Sequence, residues 1–250
     1  MKQTNLSRLI TLVSILIFVI GNASISPAAA VPTPQRTVLA EYFTATWCVP
    51  CTYAEPALSM LFEKYGPTKF VMLEYHVNDE ISNSKTESRS LGYGVPGFPT
   101  VIFDGIVPIS GVAENMQSYY DKNIQKRLAI VSKVTLTISG VIGEQTGLVK
   151  ATITQINPIT SSNLKLRWVI AEDNVNVNGK YHRFVVRNIL TEDQVKFQGT
   201  EPVIVDKTFA VNPVWNYANL RLVVFIQDDK TKEVLQTTVV KTGKKVENKK

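Results

Sequence analysis

The chain has 250 residues, 44% of them hydrophobic and 19% charged, with a formal net charge of +6. That balance supplies enough apolar material for a packed core and excludes an intrinsically disordered chain, while two cysteines exclude a disulfide-dense scaffold. No stripe of alternating aromatic and basic residues is present, so a nucleic-acid partner is not expected.

Residues 1–30 read as a signal peptide: Lys2 and Arg8 form a positive start, Leu9 to Ile20 an apolar core, and Ala28-Ala29-Ala30 a small-residue cleavage site. A bilayer-spanning helix needs about 20 apolar residues. This core is shorter and runs into Gly21, Asn22 and Ser24, which predicts cleavage, export and no transmembrane span in the mature chain. No cysteine follows the core, which argues against lipid attachment of the usual bacterial kind. Loss of Lys2 and Arg8 takes the net charge from +6 to +4.

Residues 36–131 carry an alternating βαβα opening, then a hairpin and a closing helix. An apolar run, Val38 to Phe43, feeds Trp47-Cys48-Val49-Pro50-Cys51, and Thr52 to Tyr65 follows with helical character. The start of a helix offers free N–H groups and a positive dipole end that stabilise a thiolate, so a C-x-x-C pair placed there makes a reactive dithiol. As a staple the pair would be poor: closing a four-residue loop contributes roughly 2 kcal/mol, against about 4.7 for a hundred-residue loop. A Cys2His2 zinc set of Cys48, Cys51, His76 and His182 is the other alternative, but the histidines lack the paired spacing of such sites, and no metal is expected. Lys69 to Val77 predicts a buried strand, Ser82 to Leu91 a surface helix, and Thr100 to Phe103 a short strand after Phe98-Pro99 that ends in the Asp104-Gly105 turn. Ile106 to Ser110 completes the hairpin, and Ala113 to Val131 predicts a helix.

With the dithiol followed by Gly97-Phe98-Pro99-Thr100, this half resembles the thioredoxin superfamily. The resemblance implies that Pro99 has a cis peptide bond and lies across from the dithiol, with Phe98 offering backbone to a substrate chain. Cys48 is then the nucleophile and Cys51 the resolving thiol, with no cofactor beyond their redox-active disulfide. Trp47 is either an apolar wall beside Cys48 or a packed aromatic. Glu41 is open to two readings: a proton relay to Cys51, or a hydrogen-bonded glutamate on the opposite strand face. The superfamily's acid stands one position nearer the dithiol, where this chain has Tyr42.

Residues 132–241 hold strand-like runs at 134–139, 148–156, 164–172, 181–187, 203–211, 220–227 and 234–241, separated by Gly, Asn, Asp and Pro. They predict a second domain, an all-β immunoglobulin-like sandwich. Asn174 to Gly179 echoes a calcium loop but has Val185 where a bidentate Glu is needed, so an Asn-Gly turn fits better. Residues 242–250 read as a basic disordered tail. The runs around Trp168, Tyr181 and Phe225 are similar to an exported bacterial family, often labelled outer membrane proteins, that pairs a thioredoxin-like domain with a C-terminal β-sandwich. That resemblance implies a periplasmic, outer-membrane-associated or extracellular location. Two function classes follow: a thiol-disulfide oxidoreductase acting on protein thiols or disulfides, reset by an envelope redox partner, or an envelope binding or assembly protein that uses the fold as scaffold.

Overall fold

The computed structural model describes residues 34–242; the predicted signal peptide and residues 243–250 of the predicted tail lie outside them. Strand β1 (Val38–Thr44) is buried along its whole length, as the run VLAEYFT requires of a strand covered on both faces. Helix α1 (Cys51–Tyr65) follows, then β2 (Phe70–His76), α2 (Ser84–Tyr93), the hairpin β3 (Thr100–Phe103) and β4 (Val107–Ser110), and α3 (Met116–Leu128). Strand β2 pairs parallel to β1, and β3 pairs antiparallel to its other edge. Asn83 caps α2 with its side chain and Thr86 returns the bond, so a polar helix gains a defined start. Helices α1 and α3 pack together over the face that carries Tyr42, and α2 crosses the face that carries Glu41.

The second half begins with β5 (Val134–Ile142) and β6 (Thr146–Gln155), continues through β7 (Leu164–Glu172), β8 (Val175–Val177), β9 (Lys180–His182), β10 (Val185–Ile189), β11 (Asp193–Gln194) and β12 (Val203–Ala210), and closes with β13 (Leu220–Asp228) and β14 (Val234–Lys241). Strands β12, β6 and β5 form a separate antiparallel sheet. The main sheet runs β14-β13-β7-β10-β2-β1-β3-β4, so it passes without a break through the boundary expected at Ser132. The junction is β10, which lies parallel to β2 with Val185 opposite Glu74.

This topology gives β7 and β13 two apolar faces. Val169, Ala171, Val223 and Phe225 join the core beneath the helices, while Leu166, Trp168, Ile170, Leu222, Val224 and Ile226 join a second core against β5, β6 and β12. Residues 132–241 therefore contribute one layer of their own and share the other with the first half. Trp168 anchors the second core with no exposed surface, and its Nε1 donates to Asp193 at 2.7 Å. Truncating such a residue to Ala costs about 3–5 kcal/mol.

The turns match their sequence signals. Asn178 and Gly179, both at positive φ, close the β8–β9 hairpin where the calcium-like motif stood. Asp104 and Gly105 do the same between β3 and β4.

Candidate functional site

Beyond the end of β1 the chain makes a tight turn, with the Cys48 N–H donating to Ala45 O at 3.0 Å and the Cys51 N–H to Cys48 O at 3.2 Å. Cys48 and Cys51 are joined in a disulfide, with Cα atoms 5.3 Å apart. Helix α1 opens at Cys51 without a side-chain cap and without an acid in its first turn. Its amide groups and dipole therefore face the sulfurs without a competing carboxylate on that turn, which favours negative charge there.

Cys48 is 6% exposed and Cys51 1%, so the less buried residue of the pair is the predicted nucleophile. Around them the surface is apolar: Trp47, Val49 and Tyr53 are 60%, 74% and 66% exposed. The Trp47 ring stands 6.0 Å from that of Phe98 and donates through Nε1 to Asn78 O at 2.9 Å. Its ring is exposed and anchored through Nε1, not buried in the core. The Phe98–Pro99 peptide is cis, with Pro99 buried and Phe98 half-buried. The structure thus brings Phe98 against Trp47, the residue that precedes Cys48.

Beneath the disulfide, Tyr42 occupies the strand position facing α1, and its hydroxyl donates to Cys51 O at 3.1 Å. Burial, helped by the Glu74 charge, pushes this phenol well above its ordinary value, so it remains a neutral donor. Glu41 takes the structural of its two readings, because adjacent strand residues face opposite ways. Its carboxylate accepts from Arg89 Nε at 2.8 Å and Nη2 at 2.9 Å, and from the Tyr93 hydroxyl at 2.6 Å, on the face away from Cys51. Arg89 Nη2 also reaches Gln227 Oε1 at 3.0 Å, tying α2 to β13.

A second constellation was not expected from the sequence. His76 at the end of β2 and His182 at the end of β9 stand edge to face, ring centroids 4.9 Å apart, although 106 positions separate them. Glu74 lies between them: Oε1 is 3.0 Å from His76 Nε2 and 3.0 Å from His182 Nδ1, while Oε2 accepts from the Arg183 N–H at 3.1 Å. Asp79 Oδ2 holds His76 Nδ1 at 2.6 Å, and Glu55, one turn beyond Cys51 on α1, approaches His182 Nδ1 at 3.3 Å. Burial works to lower both imidazoles, but the flanking carboxylates prevail and raise them, His182 to about 9. Burial works to raise Glu74, and hydrogen bonds from His182 and His76 hold it below its ordinary value. The available signal was an acid and a histidine two residues apart on one face of an otherwise apolar strand. Their partner from β9 left no local trace.

Residues 38–128 have a thioredoxin-like fold, with a C-x-x-C disulfide at the start of the first helix. The described residues contain no helix long and apolar enough to cross a membrane. No protein-family model matches the chain, and no curated protein matches it. Among solved structures it is similar to HBP35 of Porphyromonas gingivalis, with 17% identity and a TM-score of 0.72 over 84% of this chain and 76% of that one. A protein from Agrobacterium tumefaciens matches with 18% identity and a TM-score of 0.59, over 86% of this chain and 98% of the other. Thioredoxin of Malassezia sympodialis aligns with 39% of this chain and 80% of its own length, at 20% identity and a TM-score of 0.31.

Proposed function

We propose that the protein is an exported thiol-disulfide oxidoreductase acting on protein substrates through Cys48 and Cys51. The observation that carries this reading is the short-range disulfide at an uncapped helix start, ringed by exposed Trp47, Val49 and Tyr53. In the reduced form the Cys48 thiolate attacks a substrate disulfide, forming a mixed disulfide and releasing one substrate thiolate. The Cys51 thiolate then attacks Cys48 Sγ and releases the second, leaving the enzyme disulfide and a substrate reduced by two electrons. The reverse sequence oxidises a substrate dithiol. Trp47 and Phe98 supply apolar contact to the substrate chain. Export rests on the N-terminal sequence, and a separate envelope redox partner resets the dithiol.

Trapping tests the assignment. In Cys51→Ser the resolving thiol is gone, so a model disulfide-containing protein should accumulate as a mixed disulfide on Cys48. In Cys48→Ser no adduct should form. Equal trapping by both variants would remove the assigned roles.

A further inference from the structure

We propose that Glu74, His76 and His182, closed by Glu55, form a binding site for a divalent transition-metal cation of the zinc type, separate from the dithiol. One donor atom from each of Glu74, His76 and His182 lies within 4.8 Å of the others, and all three residues are buried. The separations His76 Nε2 to Glu74 Oε1, His182 Nδ1 to Glu74 Oε1 and His182 Nδ1 to Glu55 Oε1 are 3.0, 3.0 and 3.3 Å. Four ligands at bond lengths of about 2.0–2.1 Å around tetrahedral zinc stand roughly 3.3 Å from one another. The donor set is nitrogen and carboxylate oxygen, which suits zinc and its first-row neighbours.

Hydrogen bonding alone leaves this cluster uneven. The single Nδ1 of His182 faces carboxylate oxygens from both Glu74 and Glu55, but an imidazole nitrogen carries at most one proton to share between them. A cation at that convergence serves both oxygens and the nitrogen together. The supporting residues are also those a metal site needs. Asp79 fixes the far nitrogen of His76, and is itself held by the N–H groups of Thr46 at 2.8 Å and Ile81 at 3.1 Å. The Arg183 N–H fixes the outer oxygen of Glu74. Such partners orient imidazole and carboxylate ligands.

The cluster is not sealed. Glu55 and Lys180 line an open groove of about 520 Å³ between α1 and the β8–β9 hairpin. Lys180 Nζ, on a half-exposed side chain of that lining, sits 2.5 Å from Glu55 Oε2, an ammonium where an incoming cation would pass.

The test uses the signal-free chain with the Cys48–Cys51 bridge kept oxidised, so that free thiols take no metal. Chelator-stripped protein is titrated with Zn2+ by calorimetry and with Co2+ by visible absorption. One equivalent should bind, the cobalt form showing the d–d bands of a four-coordinate site without thiolate charge transfer. His76→Gln, His182→Gln and Glu74→Gln should each weaken binding by more than about 100-fold, and Asp79→Asn by about 10- to 100-fold. Lys180→Ala, on an exposed side chain, should bind more tightly than wild type. Absence of stoichiometric binding to the wild-type chain, which needs no variant to fold, overturns the proposal. So does binding that folded His76→Gln and His182→Gln retain unchanged.

Discussion

Asp104→Asn is the perturbation that best tests how the two halves of the chain are held as one. Asp104 is fully buried, with Oδ2 accepting from Arg36 at 3.1 Å and Arg127 at 2.7 Å, and Oδ1 accepting from the Leu39 N–H at 2.9 Å. Its carbonyl accepts from the Val234 N–H at 2.9 Å, so the β3–β4 turn meets β14 at this residue. Asparagine retains a carbonyl oxygen for Leu39 and tolerates the positive φ of 45°, so the substitution removes charge with little change of shape. Breaking a buried ion pair from one side costs about 3–5 kcal/mol, because the opposite charge is left without its partner. Burial raises the Asp104 carboxyl above its ordinary value despite both guanidiniums, and Glu233 still contacts Arg127 at 2.6 Å and Arg36 at 3.4 Å, which places the expected loss at the lower end, about 3 kcal/mol. For a chain of this size that lowers Tm by roughly 6–12 °C. Urea and thermal unfolding of both proteins, with Glu233→Gln and the double variant, measure the cost and the coupling. A loss below about 1 kcal/mol, as for exposed pairs, would refute the reasoning.

Glu41→Gln should destabilise the fold by about 3 kcal/mol through the orphaned Arg89, yet leave the pH profile of Cys48 alkylation in place; a shifted profile in a fold of unchanged stability would restore the relay. Gly105→Ala should cost more than about 2 kcal/mol, since its Cβ would lie 2.0 Å from Lys232 O at a φ of +73°; denaturant midpoints decide this. Asp228, despite partial burial, is held below the ordinary carboxylate range by hydrogen bonds from Ser161 and the Lys230 and Thr231 N–H groups. Its stabilising contribution is therefore complete above the unfolded value of about 3.9 and fades as pH falls through the folded value. The stability gap between wild type and Asp228→Asn should shrink on acidification, and a gap that widens would contradict the assignment.

Local signals were strong where the residues they join are neighbours in the chain. The dithiol, the strands at 164–172 and 234–241 and the Asn-Gly and Asp-Gly turns could be read directly, because alternation, helix starts and turn chemistry act over a few residues. The run 181–187, read as one strand, is two: Phe184 at φ +52° turns the chain out of the β8–β9 hairpin and into the main sheet as β10. That turn is what carries the sheet from β7 to β2 and sets His182 against Glu74. Neither consequence has a local pattern, since both depend on pairing across more than a hundred residues. Asp104 shows the same limit at one position: its place in a turn was legible, and its role between Arg36 and Arg127 was not.

The central claim is that the Cys48–Cys51 bridge exchanges electrons with other thiols and is not a structural staple. Equilibrating the signal-free protein with graded glutathione buffers, and counting free thiols at each ratio, measures its reduction potential. The account predicts a value between about −120 and −270 mV, where catalytic dithiols of this fold exchange reversibly. A value below about −300 mV, typical of structural disulfides that resist the glutathione pool, would contradict it.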